Sequence, residues 1–213
     1  LRTIAAFDFD GTLLQGDCLL LFHRLLRGPG GMVLGWIQLL PALLRWKAGG
    51  CSTAWFKQEY LAVILAGTEA HKRQQVLDHD LPKLLIQRLR PEAVARLHWH
   101  SHQGHRLVIV SASPRALIQP VAQHLGADLI ATETSDLSGE GAIASLQITS
   151  PNCKGAEKVR RLEAWLGHPL QEIELHAYGD SRGDRELLQA ADEPHWRSFT
   201  AQRKPYPQCR MSR

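Results

Sequence analysis

The chain has 213 residues, 44% hydrophobic and 22% charged, which suits a globular domain with room for one sizeable insertion and excludes general disorder. Its formal charge is +4 with no block of consecutive Lys and Arg, so the balance argues against nucleic-acid binding but favours phosphorylated substrates or an anionic membrane as neighbours. The four cysteines, Cys18, Cys51, Cys153 and Cys209, form no CxxC pair, which argues against a zinc knuckle or disulfide framework and fits a reducing cytoplasm.

The first strand pattern, residues 4–9, begins almost at once, so no signal peptide is expected. It runs into Asp8 and Asp10 and turns at Gly11. Two carboxylates at spacing two lie on the same side of an extended chain. They do not both ionise cheaply unless a cation sits between them or one keeps its proton. From Asp17 to about residue 90 no strand pattern appears. Segments 19–26, 33–46, 54–66 and 69–89 read as helices punctuated by glycines, with Ser52 or Thr53 and then Thr68 as N-caps. This predicts an all-helical insertion directly after the first strand. Within it, residues 28–44 carry no charge, while Arg24 and Arg27 precede them and Arg45 and Lys47 follow. Gly35 and Pro41 and the short length argue against a bilayer span. The stretch reads as a buried helix with Trp36 and Trp46 as core filler, or as a helix lying on a membrane.

The strand pattern resumes beyond Pro91. In HWHSHQGH, residues 98–105, His98 and His102 share a helical face, and a solvated helix end accounts for them more simply than zinc does. The run 107–111 ends on Ser111. Ser113 then fits an N-cap and Pro114 the first helical position, and a hydroxyl beside free helix-start amides is a phosphate site. A strand pattern at 129–132 leads into 132–150, which reads as a small hairpin with a Gly-rich turn. Lys154 and Lys158 stand at the start of an amphipathic helix, where either one reaches toward the strand ends. The last run, 173–178, leads to Asp180, with Asp184 four residues later. Oxygen ligands without His or Cys point to Mg²⁺. The tail, 201–213, is basic and aperiodic and reads as loose.

Strands alternating with helices predict an α/β fold, a parallel sheet covered on both faces, with ligands outside the carboxyl ends of the strands. The polar residues at those ends form one chemical scheme. Asp8 attacks phosphorus to give a phospho-aspartate, and Asp10 protonates the leaving oxygen and then activates water. Mg²⁺ on Asp8, the Asp10 backbone carbonyl and Asp180 offsets the anionic repulsion, while Ser111 and a Lys stabilise the equatorial oxygens.

In chain order, DFDGTL, SAS, a Lys at a helix start and GDSRGD resemble the four motifs of the haloacid dehalogenase-like (HAD) hydrolase superfamily. A helical insertion after the first motif is similar to its phosphoserine phosphatase subgroup, the subfamily IB type. The resemblance implies a Rossmann-like core at 1–16 and 91–200, a helical cap at 17–90 and Mg²⁺-dependent phosphatase activity. It implies Asp8 as nucleophile and Asp10 as acid/base. It puts Thr12, Ser111 and Ala112 at the phosphate with Lys154 or Lys158, and Asp8, Asp10, Asp180 and Asp184 at the metal. The subgroup recognises a substrate amine through a Glu, and this chain has Asp17 there, one methylene shorter, which bears on phosphoserine as the substrate. The uncharged stretch is similar to phosphatidylglycerophosphate phosphatases of the superfamily. That implies a lipid phosphate as the alternative substrate, and a cytoplasmic protein with peripheral contact at the inner membrane face. A catalytically silent Mg²⁺- and phosphate-binding module and a phosphotransferase are the remaining classes. Asp10 argues against the silent module, since a mere binder has no use for an acid/base.

Overall fold

The computed structural model describes residues 2–138 and 147–199. In chain order it shows β1 (Arg2–Phe7), α1 (Cys18–Lys47), α2 (Thr53–Leu65), α3 (Ala70–Gln75), α4 (Leu81–Gln87), α5 (Pro91–His102), β2 (Arg106–Pro114), α6 (Arg115–His124), β3 (Asp128–Thr132), α7 (Ala156–Leu166), β4 (Ile173–Gly179), α8 (Arg185–Gln189) and β5 (Glu193–Trp196). The strands pair in parallel in the order β3-β2-β1-β4-β5. Phe7 stands level with Ile109 on one side and Tyr178 on the other, so β1, β2 and β4 end side by side. The chain leaves β1 for β2 on one flank and later returns to β4 on the other. That makes β1 the switch point at which such sheets bind ligands.

Side-chain alternation along β1 splits the core in two. Ile4 and Ala6 join Val108, Val110 and Leu175 in a cluster covered by Leu162 of α7 and Leu187 and Leu188 of α8. Ala5 and Phe7 face the other way, with Leu107 and Ile109, under Leu97 of α5 and Leu117 and Val121 of α6. The near-continuous apolar runs read from the sequence are those of strands covered on both faces.

Between β1 and β2 lie α1 to α5, without a strand. The two expected helices 19–26 and 33–46 are both present as the two halves of α1, which meet at a kink where the backbone at Gly28 leaves the helical region (φ 66°, ψ 178°). Glycine takes that conformation without a Cβ clash, and helical turns resume directly after it. The expected helix 69–89 is instead α3, a π-helical turn at Val76–Asp80, and α4. Pro82 at the start of α4 has no N–H to donate, and the wider turn precedes it. Ser52 caps α2, its hydroxyl accepting from Trp55 N at 3.1 Å. Thr68 is not a cap: its hydroxyl donates to Leu65 O at 2.6 Å, and Glu69 holds the cap position. The two ends of this helical segment run side by side, Gln15 N donating to Arg88 O at 2.9 Å and Arg90 N to Leu13 O at 2.8 Å.

The buried-helix expectation for the uncharged stretch holds for one face only. Gly35 and Leu39 are buried, Trp36 packs on Tyr60 and Trp46 on Phe56, but Val33, Leu34, Ile37, Leu40 and Leu44 are exposed. Strand β5 has no counterpart in the strand runs read from the sequence. The arms of the expected 132–150 hairpin meet, Ser135 N donating to Gln147 O at 2.9 Å and Thr149 N to Glu133 O at 3.0 Å. The turn of that hairpin, at 139–146, and the tail 201–213 lie outside the described residues.

The histidine-rich segment is only partly a solvated helix end. His98 and His102 are exposed, but His100 is buried, its Nε2 2.8 Å from the Tyr178 hydroxyl and its Nδ1 2.8 Å from His105 Nδ1. Burial, with His176 and His105 beside it, pushes the His100 imidazole down to about 3. Its folded value is below the unfolded one, so the unfolded chain takes up a proton that the folded one refuses, and stability falls as pH drops from about 6.5 toward 3. Urea unfolding at pH 7.5 and pH 5.0 is expected to show a smaller loss on acidification for His100→Gln than for the unsubstituted chain. Equal losses would mean that His100 is not the neutral buried group.

Candidate active site

The carboxyl ends of β1, β2 and β4 deliver the polar residues into one cleft of about 300 Å³, lined by Asp8, Asp10, Asp17, Lys57, Ser111, Ala112, Ser113, Lys154, Lys158, Asp180 and Asp184 among others. Asp8 follows β1, its N–H held by Tyr178 O of β4 at 2.9 Å. Gly11 turns the chain at φ +80°, and a Cβ there would fall on the Asp180 carboxylate, so this turn needs glycine for conformation and for space.

At the bottom of the cleft the ammonium of Lys158, buried on α7, lies 2.6 Å from Asp8 Oδ1, from Asp184 Oδ1 and from Val110 O. Of the two lysines that the sequence leaves open, Lys158 touches the carboxylates. Lys154 precedes α7 and lies over Gly183 at the cleft wall. Burial lowers the Lys158 pKa and the two carboxylates raise it. The carboxylates win, and the group stays an ammonium.

Burial raises Asp8 to about 7 despite Lys158. It also raises Asp10, helped by the Asp17 charge, to about 6, and pushes Asp180 up as well. Asp184 is pushed up by burial but held below the usual carboxylate range by Lys158 and by hydrogen bonds from Ser181. Its Oδ2 accepts from Ser181 N (2.9 Å), Ser181 Oγ (2.8 Å) and Asp180 N (3.3 Å). With Oδ1 on Lys158, both oxygens of Asp184 are engaged, and its place is to order the loop that carries Asp180.

One oxygen from each of Asp8, Asp180 and Asp184 lies within 4.8 Å of the others, the one such metal-capable cluster among the described residues. The donor set is all oxygen and burial resists its ionisation, so a small hard cation fits it. Asp8, Asp180 and Asp184 are the residues that could hold such a cation. Asp10's carboxylate is committed elsewhere. Its Oδ1 accepts from Cys18 N at 2.7 Å, and its Oδ2 accepts from the Ser113 hydroxyl and from Cys18 Sγ.

Ser113 departs from the sequence expectation. β2 runs on through Pro114 with a register shift, Pro114 takes the cap position of α6, and the Ser113 hydroxyl turns to Asp10 instead of capping. Ser111 is buried and its Oγ accepts from Ser113 N at 3.1 Å. Thr12 donates to Asp180 Oδ1 at 3.3 Å. Asp17 is exposed and caps α1 through Leu20 N at 3.0 Å while lining the cleft mouth.

Sequence reasoning missed Lys57. It reaches from α2 into the cleft, its ammonium 2.6 Å from Ala112 O and from Asn152 Oδ1. Both partners are neutral, and among the described residues no carboxylate pairs with it. Burial lowers it to about 8, against the pull of Cys18, Asp10 and Asp17. Its only signal in the sequence is a single cation among the aromatic residues of α2, which many surface lysines share.

A family model described as haloacid dehalogenase-like hydrolase matches residues 5–189. The chain is 34% identical over 200 residues to protein CicA of Caulobacter vibrioides, covering 92% of this chain and 86% of that one. It is 26% identical over 204 residues to a probable phosphatase of Mycobacterium tuberculosis, covering 89% and 66%. Among solved structures, a Bordetella pertussis protein of unknown function superposes with a TM-score of 0.67 at 25% identity, covering 89% and 86%. A substrate-bound phosphoserine phosphatase superposes with a TM-score of 0.59 at 14% identity, covering 90% and 83%, a likeness of fold.

The geometry separates the two lysines by stability. Lys158→Met leaves buried carboxylates without their cation and is expected to cost about 3–5 kcal/mol in urea unfolding. Lys154→Met, at the cleft wall, is expected to stay within about 0.5 kcal/mol. Similar losses for both would contradict the assignment of the buried ammonium.

Proposed function

The chain belongs to the haloacid dehalogenase-like hydrolase family, and from that premise we propose that it is an Mg²⁺-dependent phosphomonoesterase working through Asp8. The observation that carries this reading is the pairing of two neighbouring aspartates, Asp8 buried and Asp10 half-buried, with different partners. Asp8 lies on the Lys158 ammonium, and Asp10 lies on the Ser113 hydroxyl and the Cys18 amide. Environments that differ in this way set two carboxylates to two roles.

Asp8 Oδ1 is fixed by Lys158, which leaves Oδ2 to attack phosphorus. The new O–P bond forms as the ester P–O bond breaks, and the departing alkoxide takes the proton that Asp10 carries. Water then attacks phosphorus, the Asp8–phosphate bond breaks, and Asp10 takes the proton from water. Inorganic phosphate leaves, and both aspartates return to their starting states. Ser111, Ala112 and Lys158 line the cleft; in this reading they hold the transferring group, and Lys158 remains charged throughout. Asp8 and Asp180 would hold Mg²⁺, and when bound it would supply positive charge to offset the negative charge of the phosphate oxygens.

Residues 17–90 act in this reading as a cap over the core at 1–16 and 91–200. The paired connections at Leu13–Gln15 and Arg88–Arg90 serve as its hinge, and Lys57 is its contribution to the site. Lys57 offers a cation and Asp17 an anion at the cleft, complementary to a small phosphorylated metabolite with a carboxylate and an amine, such as phosphoserine. The exposed apolar face of α1 favours a second reading, a lipid-phosphate substrate at a membrane surface.

Turnover of p-nitrophenyl phosphate is expected to need Mg²⁺, to stop with EDTA, and to fall at least about a thousandfold in Asp8→Asn. Persistence in that variant would overturn the mechanism. On phosphoserine, Lys57→Ala is expected to raise KM by about tenfold or more, with little change for phosphoethanolamine, which lacks the carboxylate. Equal effects on both would reject the carboxylate role. Turnover of phosphatidylglycerophosphate in preference to either would support the second reading.

A further inference from the structure

The second half of α1 presents an apolar stripe that none of the described residues covers. Val33, Leu34, Ile37, Leu40 and Leu44 are 60%, 57%, 62%, 50% and 60% exposed. At 100° per residue they and exposed Pro41 fall within a sector roughly 120° wide. The opposite sector carries Gly35 and Leu39, both buried, and Trp36 and Trp46, packed on Tyr60 and Phe56 of α2. The helix thus has one face committed to the protein and another, equally apolar, facing out. Scattered exposed apolar residues are ordinary, but a contiguous stripe on one helix marks a contact surface.

The charges that flank the stripe along the chain are of one sign. Residues 18–58 contain no Asp or Glu, while Arg24 and Arg27 stand before the stripe and Arg45 and Lys47 at its end. Arg24, Arg45 and Lys47 are exposed. A second copy of the chain packed on this stripe would bring these cations together with no acidic residue on the helix to meet them. An apolar face bordered by Lys and Arg is the arrangement by which a helix lies in the headgroup layer of an anionic bilayer. No described helix is long and apolar enough to cross a membrane, so the contact is at the surface.

We propose that the outer face of α1, centred on Ile37 and Leu40, docks the protein onto anionic lipid. The inference concerns this surface alone and stands whether or not the enzyme turns over phosphoserine.

The test is flotation of the full chain with vesicles of equal parts phosphatidylcholine and phosphatidylglycerol, and with phosphatidylcholine alone, at low and high salt. The expected result is flotation with the anionic vesicles, weakened by salt and by the neutral lipid. Ile37→Glu/Leu40→Glu is expected to reduce the lipid-bound to free ratio by at least about tenfold. Its p-nitrophenyl phosphate turnover should be unchanged, because neither residue lines the cleft. Lys47→Glu alone should weaken binding to anionic vesicles and leave the neutral control unaffected. Protein that does not float with anionic vesicles at low salt would overturn the proposal, as would equal flotation of the double variant. A concentration-dependent dimer in lipid-free buffer, abolished by the same double variant, would also overturn it by assigning the stripe to a second copy.

Discussion

The ammonium of Lys158 meets Asp8, Asp184 and the Val110 carbonyl, each at 2.6 Å, and so ties together segments that follow or belong to three different strands. Burying a charge is costly unless it is paired and hydrogen-bonded. This one is, and the pairing in turn makes two buried carboxylates tolerable at the end of a parallel sheet. Asp184 then orders the loop after β4 through Ser181, which sets Asp180 beside Gly11 and Thr12. The excess of acid over base at the bottom of the cleft, with Asp8 and Asp180 both pushed up, is what a divalent cation would relieve.

The helical insertion answers to the same cleft from the other side. α1 starts on Asp10, whose carboxylate accepts from the Cys18 amide, and Lys57 of α2 reaches Ala112 O beside Ser111. Gln58 adds a contact, its side-chain oxygen accepting from Ile148 N at 3.3 Å. The insertion therefore touches the site through a carboxylate at its root and a cation at its tip. No residue of the outer half of α1 lines the cleft, and its exposed face is available for a separate contact.

Strands β1 to β4 are legible in the sequence because both faces of each are covered, which writes a short apolar run of unmistakable length. β5 is not, because EPHW carries Glu193 and Pro194; on an edge strand, proline is tolerated where a central strand would reject it. The break between the two halves of α1 is legible at Gly28, where the backbone leaves the helical region, but the π-turn at Val76–Asp80 is not, because nothing local marks a wider turn inside the expected helix 69–89. Asp8, Asp10, Asp180 and Asp184 are legible because strand ends in a parallel sheet converge. The partners of Asp10 are not, since Ser113 reads as a cap until the register shift in β2 turns it inward. The choice between Lys154 and Lys158 was partly in view: Lys158 lies on the apolar face of α7 with Val159, Leu162 and Trp165, an unusual place for a lysine that has no buried partner. Lys57 depends on how the insertion folds back over the sheet, which no local pattern encodes.

The central claim is that phosphorus passes through a covalent bond to Asp8. Rapid quench during turnover of a phosphomonoester, borohydride reduction of any acyl phosphate, and mass mapping of the resulting peptides reads that bond directly. The account predicts reductive labelling at Asp8, dependent on substrate and absent from every other carboxylate. Full turnover with no label, or a label at Asp10 or Asp180 in its place, would contradict it.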